Sequence, residues 1–171
     1  MDMFKKSEVR ELIKSKDFKI QSFDKKIIQR IFEITKNKVV CTYIPFGKEP
    51  DILNYVNNAS TLCTTFIDNM DKIKISILEG PLVKNKFGVS QPKTLNEINE
   101  VDIFLIPGLA FDLNGTRLGR GGGVYDKLLS NYLNSYFIGV SYDEYIFENL
   151  PIENHDIKMN ALLTPSRFIE F

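Results

Sequence analysis

The segment Lys38-Val-Val-Cys-Thr-Tyr-Ile44 is short, rich in β-branched residues and almost entirely apolar. A run of this kind is typical of a strand that is covered on both faces, as the strands of parallel sheets are. Five similar runs follow at residues 61–67, 74–78, 102–106, 137–141 and 161–164. Strands that alternate with helices favour an α/β fold. We therefore predict a single α/β domain over residues 1–171, with three layers and a mainly parallel sheet flanked by helices.

Helical spacing appears mainly before and between these runs. Two N-terminal helices are predicted, the second capped by Ser22, from two sets of apolar residues: Phe4, Val9, Leu12 and Ile13, then Ile27, Ile28, Ile31 and Phe32. Pro50 suits the first position of a third helix over residues 50–57, and a fourth is predicted over residues 124–133. Residues 80–100 are broken by proline and glycine, so we expect loops and a hairpin there.

The charge balance excludes several classes of protein. Among 171 residues, 22 basic and 22 acidic side chains cancel, and 43% of the residues are hydrophobic. A disordered chain would be poorer in apolar residues and more highly charged, and a nucleic-acid-binding protein would usually be basic. No apolar run approaches the roughly 18 residues of a membrane-spanning helix. We expect a globular protein that binds neither nucleic acid nor a membrane.

The cysteines and the first residues indicate a compartment. Cys41 and Cys63 lie in apolar runs without CxxC spacing, so we expect two buried thiols. The opening MDMFKKSEVR places charges where a signal peptide would need an apolar core. These features predict a cytoplasmic protein, which we expect to be a monomer.

The segment DLNGTRLGRGGGVYDK, residues 112–127, is the most informative about function. Its three consecutive glycines, 121–123, allow backbone N–H groups to converge on one point, and the helix predicted behind them favours an anion. Arg117 and Arg120 add permanent charge on forked donors that match phosphate. No acidic residue occurs between Asn114 and Gly123. The segment therefore predicts a phosphate-binding loop.

The common phosphate motifs do not fit this loop. A Walker A loop ends in GK[ST], and a dinucleotide fingerprint requires a third glycine, but Val124 follows Gly123. About a dozen residues also separate the loop from its strand, too many for the tight turn of a dinucleotide fold. Asp126 lies in the first turn of the predicted helix, where it could complement the helix dipole or bind Mg²⁺ beside a phosphate. The residues alone leave both roles open.

The arginine–glycine–tyrosine–aspartate block resembles the signature of the 5-formyltetrahydrofolate cyclo-ligases, also called 5,10-methenyltetrahydrofolate synthetases. Other landmarks follow in that family's order: Lys6 and Arg10, Glu49-Pro50, Gly88 to Pro92, Leu150-Pro151 and His155-Asp156. The resemblance extends from about residue 4 to residue 165. It implies an ATP- and Mg²⁺-dependent cyclisation of 5-formyltetrahydrofolate to 5,10-methenyltetrahydrofolate. ADP and phosphate would be released, and a phosphorylated formyl (imidate) intermediate would form.

The resemblance also implies a role for each matching residue. The implied ATP-binding residues are Lys6, Arg10, Arg117, Leu118, Gly119, Arg120, Gly121, Gly122, Gly123, Val124 and Tyr125. The implied folate-binding residues are Glu49, Arg120, Gly121, Gly122, Gly123 and Val124. Asp126 and Asp156 are the implied magnesium ligands, and Arg120 and Tyr125 are the implied catalytic residues.

Three positions depart from the family pattern. Val124 stands where many relatives have tyrosine, Gln91 where glutamate is frequent, and Asn160 where an acidic residue is common. His155 is the only histidine and is expected to structure its loop. Two other functions stay open on the residues alone. One is an α/β enzyme for another phosphorylated substrate, such as a sugar-phosphate isomerase, and the other is a nucleotide-binding regulatory module without chemistry.

Overall fold

A computed structural model describes residues 5–16 and 19–171. Its helices are α1 (Lys6–Ser15), α2 (Lys25–Thr35) and α3 (Val124–Leu129), and short 3₁₀ turns occupy Leu53–Tyr55 and Asp143–Tyr145. Its strands are β1 (Val39–Thr42), β2 (Thr61–Ile67), β3 (Ile73–Ile77), β4 (Leu82–Lys84), β5 (Ser90–Pro92), β6 (Ile103–Pro107), β7 (Ala110–Asp112), β8 (Arg117–Leu118), β9 (Tyr136–Val140), β10 (Ile146–Phe147), β11 (Ala161–Leu163) and β12 (Phe168–Glu170).

Seven strands form the central sheet in the order β12-β11-β9-β6-β1-β2-β3. The five inner strands run parallel, and the two edge strands, β3 and β12, pair antiparallel with their neighbours. All six predicted strands lie in this sheet, which confirms an α/β fold with a mainly parallel sheet. The three-layer arrangement and the single-domain boundary stay predictions.

The two faces of the sheet carry separate cores because side chains alternate along each strand. One face packs against α2 and the turn at Leu53–Tyr55, through the buried residues Val40, Leu105, Ile138, Leu163 and Ile31. The other packs against α3 and the smaller sheet, through Cys41, Phe104, Leu162, Leu129 and Phe111. Cys41 and Cys63 are opposite each other in β1 and β2, and both are buried free thiols, as expected.

Helix α1 is seated on the smaller three-stranded sheet, which has the order β10-β7-β8. Val9 and Ile13 are the buried residues of α1, and they pack against Ala110, Leu118 and Leu150. This packing leaves Lys6 and Arg10, on the same helix, beside the cavity described below.

Several predicted helix bounds are wrong, for local reasons. Helix α2 begins at Lys25 after Asp24, whose carbonyl accepts the Ile27 and Ile28 amides, so Ser22 is not the cap. Only the turn at Leu53–Tyr55 forms within 50–57, because the Pro50 carbonyl accepts the Tyr43 hydroxyl at 2.5 Å instead of starting a helix.

Helix α3 ends at Leu129 rather than residue 133, since the Ser130 and Asn131 side chains donate to the Lys127 carbonyl. The hairpin expected within 80–100 is present as β4 and β5. Phe4, expected in the first helix, lies outside the described residues. Among the helices of the described ranges, none is long and apolar enough to cross a membrane.

Candidate active site

A cavity of about 500 Å³ lies where the central strands end. It is bordered by Tyr43 and Ile44 after β1, by Ile67 at the end of β2 and by Pro107 at the end of β6. The carboxyl ends of parallel strands are where open α/β sheets bind ligands. All the predicted site residues except Leu118 line this cavity. The Leu118 side chain instead packs in the core beside α1. Its carbonyl accepts the Leu109 amide at 2.8 Å.

The glycine loop forms one wall of the cavity and continues directly into α3. Gly121 and Gly123 have φ of +107° and +62°, where side chains are strongly disfavoured, so these turns require glycine. Helix α3 has only six residues, so the anion-binding capacity of this segment depends on its backbone N–H groups and arginines more than on a helix dipole. Val124, at the rim, is 37% exposed.

Helix α1 contributes two cations from more than 100 residues away. Arg10 Nε donates to the Gly119 carbonyl at 2.9 Å and so holds the start of the glycine loop. Lys6 Nζ lies 2.7 and 2.6 Å from the two carboxylate oxygens of Asp156 and 2.8 Å from Glu153 Oε2. Burial would lower the pKa of Lys6, but the hydrogen bonds to these two carboxylates outweigh it and raise that pKa on balance. Lys6 therefore links α1 to the loop at residues 153–156 through ion pairs.

Arg117 differs from the other cations of the cavity because its side chain is only 6% exposed. Its Nη2 donates to Asp126 Oδ2 at 3.2 Å and its Nη1 to the Pro107 carbonyl at 3.4 Å. The guanidinium also lies over the Tyr125 ring, 5.2 Å from its centroid. Arg117 thus joins the end of β6 to the first turn of α3.

Arg120 reaches across the mouth of the cavity to Glu49. Its Nη2 is 3.2 Å from Glu49 Oε1 and 3.2 Å from the Phe46 carbonyl, and the side chain is 53% exposed. Burial raises the pKa of Glu49, against the opposing effects of the Phe46 amide and of Arg120. The loop after β1 and the glycine loop are therefore linked by one exposed arginine.

Tyr125 lies deeper, under the glycine loop. Burial raises the pKa of its phenol far above the ordinary value. The phenol is therefore protonated at neutral pH and can donate a hydrogen bond, but it cannot act as a base there.

Asp126 and Asp156 both line the cavity, each already paired with a cation. Asp156 is joined by Glu153 and His155, and ligand atoms of these three residues lie within 4.8 Å of one another. Carboxylate oxygens suit a hard cation such as Mg²⁺. Sequence reasoning missed Glu153, because nothing in its local pattern distinguishes it from an ordinary loop carboxylate. His155 is exposed and 3.5 Å from Glu153, at the edge of the loop.

The apolar part of the cavity was also missed. Phe46 follows β1, and Phe87 and Val89 belong to the hairpin of β4 and β5. Phe46 and Phe87 are 38% and 60% exposed, unusual for large aromatic side chains, and the cavity accounts for both. Their signal in the sequence was an aromatic residue in a polar, glycine-containing loop.

Two of the departures from the family pattern lie outside the cavity. Gln91 accepts the Ile67 amide at 3.1 Å and donates to the Ile67 carbonyl at 3.2 Å, which secures the hairpin against β2. Asn160 Oδ1 accepts the Phe137 amide at 2.7 Å. Both side chains make backbone contacts that stabilise the fold.

Comparison with known proteins identifies the family of this chain. The profile of the 5-formyltetrahydrofolate cyclo-ligase family matches residues 5–165. A 5-formyltetrahydrofolate cyclo-ligase of Mycolicibacterium smegmatis is 32% identical over 147 residues, which cover 77% of this chain and 76% of the relative. One from Escherichia coli K12 is 34% identical over 99 residues, which cover 54% of this chain and 54% of the relative.

Solved structures extend the similarity to nearly the whole chain. The structure of Aquifex aeolicus 5,10-methenyltetrahydrofolate synthetase superposes with a TM-score of 0.77 at 27% identity. That superposition covers 96% of this chain and 92% of the other. The chain therefore belongs to the 5-formyltetrahydrofolate cyclo-ligase family.

Proposed function

We propose that this protein converts 5-formyltetrahydrofolate to 5,10-methenyltetrahydrofolate with consumption of ATP and with Mg²⁺ as cofactor. The observation that carries the proposal is that cations and carboxylates alternate in one cavity and neutralise one another in pairs. The pairs are Lys6 with Asp156, Arg117 with Asp126, and Arg120 with Glu49. A triphosphate with a divalent cation brings both the anion that the basic side chains bind and the cation that the carboxylates bind.

The proposed chemistry needs no nucleophile from the protein. The formyl oxygen attacks the γ-phosphorus of ATP, ADP leaves, and the formyl carbon becomes a phosphorylated imidate. Nitrogen 10 of the folate then attacks that carbon and the ring closes. Phosphate departs with the former formyl oxygen and takes up the proton that nitrogen 10 loses. The protein's part is to position the reactants and stabilise charge, the usual pattern of phosphoryl transfer.

The cationic wall would bind the nucleotide. Lys6 and Arg10 on α1 border the same cavity as the glycine loop and Arg120, so the triphosphate can be contacted from two sides. The Arg120 side chain is 53% exposed, against 13% for Lys6, so its guanidinium can leave Glu49 for a phosphate. It is the best placed to neutralise charge on the transferred phosphoryl group.

The carboxylates fit the metal that the family implies. Asp126 and Asp156 offer oxygen ligands at the cavity, and Glu153 lies beside Asp156. Mg²⁺ is usually held by one or two carboxylates together with substrate phosphates. When bound, it would neutralise phosphate charge beside the basic side chains of the cavity.

The opposite side of the cavity would take the folate. Glu49, in the loop after β1, can accept a hydrogen bond from a substrate N–H, while Phe46 and Phe87 offer apolar surface for aromatic rings. Tyr125 would donate its phenol proton in a hydrogen bond rather than abstract one. We also propose that the protein acts as a monomer in the cytoplasm, which size-exclusion chromatography with light scattering and cell fractionation test.

The decisive experiment is turnover with 5-formyltetrahydrofolate and MgATP. Formation of the methenyl chromophore and of ADP in equal amounts is the expected result. Failure to form both, in protein shown to be folded by circular dichroism, would overturn the proposal. ATP consumption without the chromophore would instead favour another phosphorylated product.

Arg120→Ala should abolish most of this turnover, and Arg30→Ala is its matched control. Arg30 is similarly exposed, at 44%, is paired with Glu170 at 3.6 Å, and lies 5.2 Å from the Phe168 ring centroid. Arg120 likewise forms an ion pair with Glu49, and its guanidinium lies 5.1 Å from the centroid of the Phe46 ring. Equal turnover in the two variants would remove Arg120 from the active site.

A further inference from the structure

Arg117 borders the cavity, but its side chain is only 6% exposed and its guanidinium is held by several neighbours. Besides Asp126, Pro107 and Tyr125, it lies against the backbone of the glycine loop, because a Cβ added at Gly119 would be 2.9 Å from its Nη1. Its Nε is buried and has no hydrogen-bond partner among the described residues. A buried donor without a partner costs about 1–3 kcal/mol. The position of this side chain is therefore set by packing and by its two hydrogen bonds, not by access to a ligand.

The other cations of the cavity are built differently. Arg120 is 53% exposed. Lys6 is only 13% exposed, but it approaches the carboxylates through a single ammonium group on a flexible chain rather than through a planar guanidinium. Either can exchange its partner for a phosphate by rotating a side chain. Arg117 could turn its guanidinium toward a phosphate only by giving up its hydrogen bonds to Pro107 and Asp126, which would also release the Asp126 carboxylate.

We propose that Arg117 is a positioning residue that fixes the Asp126 carboxylate and the Tyr125 ring, and does not bind the phosphates. A planar guanidinium is suited to this task because it can donate in two directions while an aromatic ring covers one face. On the same geometry, a Cβ at position 119 would come within 2.9 Å of Arg117 Nη1, so a side chain there would push the guanidinium from its place. The inference rests on the proposed function, since it concerns how the metal ligand is held.

Calorimetric titration of ATP into the protein at a series of Mg²⁺ concentrations, without folate, tests the role directly. Groups that orient a metal ligand typically change metal affinity by about 10- to 100-fold when they are replaced. Arg117→Lys keeps the charge and loses the planar fork. We expect it to weaken ATP binding at low Mg²⁺ by roughly that factor, with the deficit disappearing as Mg²⁺ is raised. A deficit of the same size at every Mg²⁺ concentration would identify a phosphate ligand and overturn the proposal, as would no deficit at all.

Two further variants keep the test decisive if Arg117→Lys does not fold. Gly119→Ala leaves Arg117 in the chain but pushes its guanidinium, so it should reproduce the Mg²⁺-dependent deficit. Asp126→Asn removes the residue that Arg117 is proposed to orient, so adding Gly119→Ala to it should cause no further loss of Mg²⁺ dependence. Additive effects would overturn the proposal. Absence of cyclisation by the wild-type protein would count against the proposed function instead, because these titrations do not require folate chemistry.

Discussion

Replacement of Asp112 by asparagine separates a structural carboxylate from the site residues that surround it in the sequence. Asp112 is 2% exposed and does not line the cavity. Its Oδ1 accepts the amides of Asn114 and Thr116, at 2.9 and 2.8 Å, and its Oδ2 accepts the amide of Leu150 at 2.9 Å. One carboxylate therefore holds the turn between β7 and β8 against the segment that leads to residues 153–156.

The expected loss of stability follows from the hydrogen bonds that an asparagine side chain can still accept. If asparagine places its oxygen toward Asn114 and Thr116, its NH₂ group faces the Leu150 amide, and two donors meet in a buried space. The Leu150 bond is lost, and the two remaining bonds lose their charge assistance. Hydrogen bonds to charged groups contribute about 1.5–3 kcal/mol each, so we expect the free energy of unfolding to fall by about 2–4 kcal/mol. For a chain of this size, that corresponds to a decrease in Tm on the order of 10 °C.

Asp68→Asn is the matched control for this prediction. Asp68 Oδ1 also accepts two backbone amides, from Met70 at 2.8 Å and Lys72 at 2.9 Å, but no hydrogen bond to its Oδ2 occurs among the described contacts. Asparagine can keep both of these bonds and turn its NH₂ group to water. Urea unfolding followed by far-UV circular dichroism should show a clearly larger loss for Asp112→Asn.

Equal losses in the two variants would refute the assignment of Asp112 to a buried, three-bond role. At a temperature where Asp112→Asn is fully folded, its turnover should match the wild type, because the side chain does not reach the cavity. A large loss of turnover with unchanged stability would show instead that Asp112 acts in the active site rather than in the fold.

Glu49→Gln should raise the KM for the folate and leave the KM for ATP unchanged, and a defect confined to ATP in steady-state kinetics would contradict the placement of Glu49. Burial raises the pKa of Glu49. If kcat/KM depends on the ionised carboxylate, it should therefore fall at a pH above the range of an ordinary glutamate. A pH profile of kcat/KM measures this fall, which should be absent in Glu49→Gln. Asp156→Asn should raise the Mg²⁺ requirement and release Lys6, so an unaltered metal titration would exclude Asp156 as a ligand. Lys6→Met should weaken ATP binding more at low than at high ionic strength, and salt-independent calorimetric affinities would argue against its electrostatic role.

The strands and the glycine loop could be predicted because their causes are local. Runs such as Lys38 to Ile44 combine β-branched residues with an apolar character that a covered strand requires, and every such run is a strand of the central sheet. The positive φ values of Gly121 and Gly123 likewise follow from the chain itself, since only glycine adopts them readily. Spacing on a helix was enough to place Lys6 and Arg10 together.

The helix predicted over residues 50–57 failed because a tertiary contact competes with local preference. Proline suits the start of a helix, but Tyr43 donates to its carbonyl and the segment folds only as a short turn. Similarly, the family resemblance implied that Arg117 and Arg120 both bind ATP. The Arg117 side chain is 6% exposed, however, and the Arg120 side chain 53%. Burial depends on which segments meet, and that cannot be read from the spacing of the residues.

The sequence by itself determined the strand order along the chain, the glycine–arginine loop and the residue types that a phosphate and a metal would need. Only the tertiary structure decided how these residues divide the work. It joined Lys6 to Asp156 across 150 positions, brought Glu153 beside them and buried Arg117 against Asp126. It left Arg120 half exposed at the mouth of the cavity, paired with Glu49. The physical reason is that residue chemistry and local spacing belong to the chain. Burial and ion pairing arise only when distant segments pack against each other.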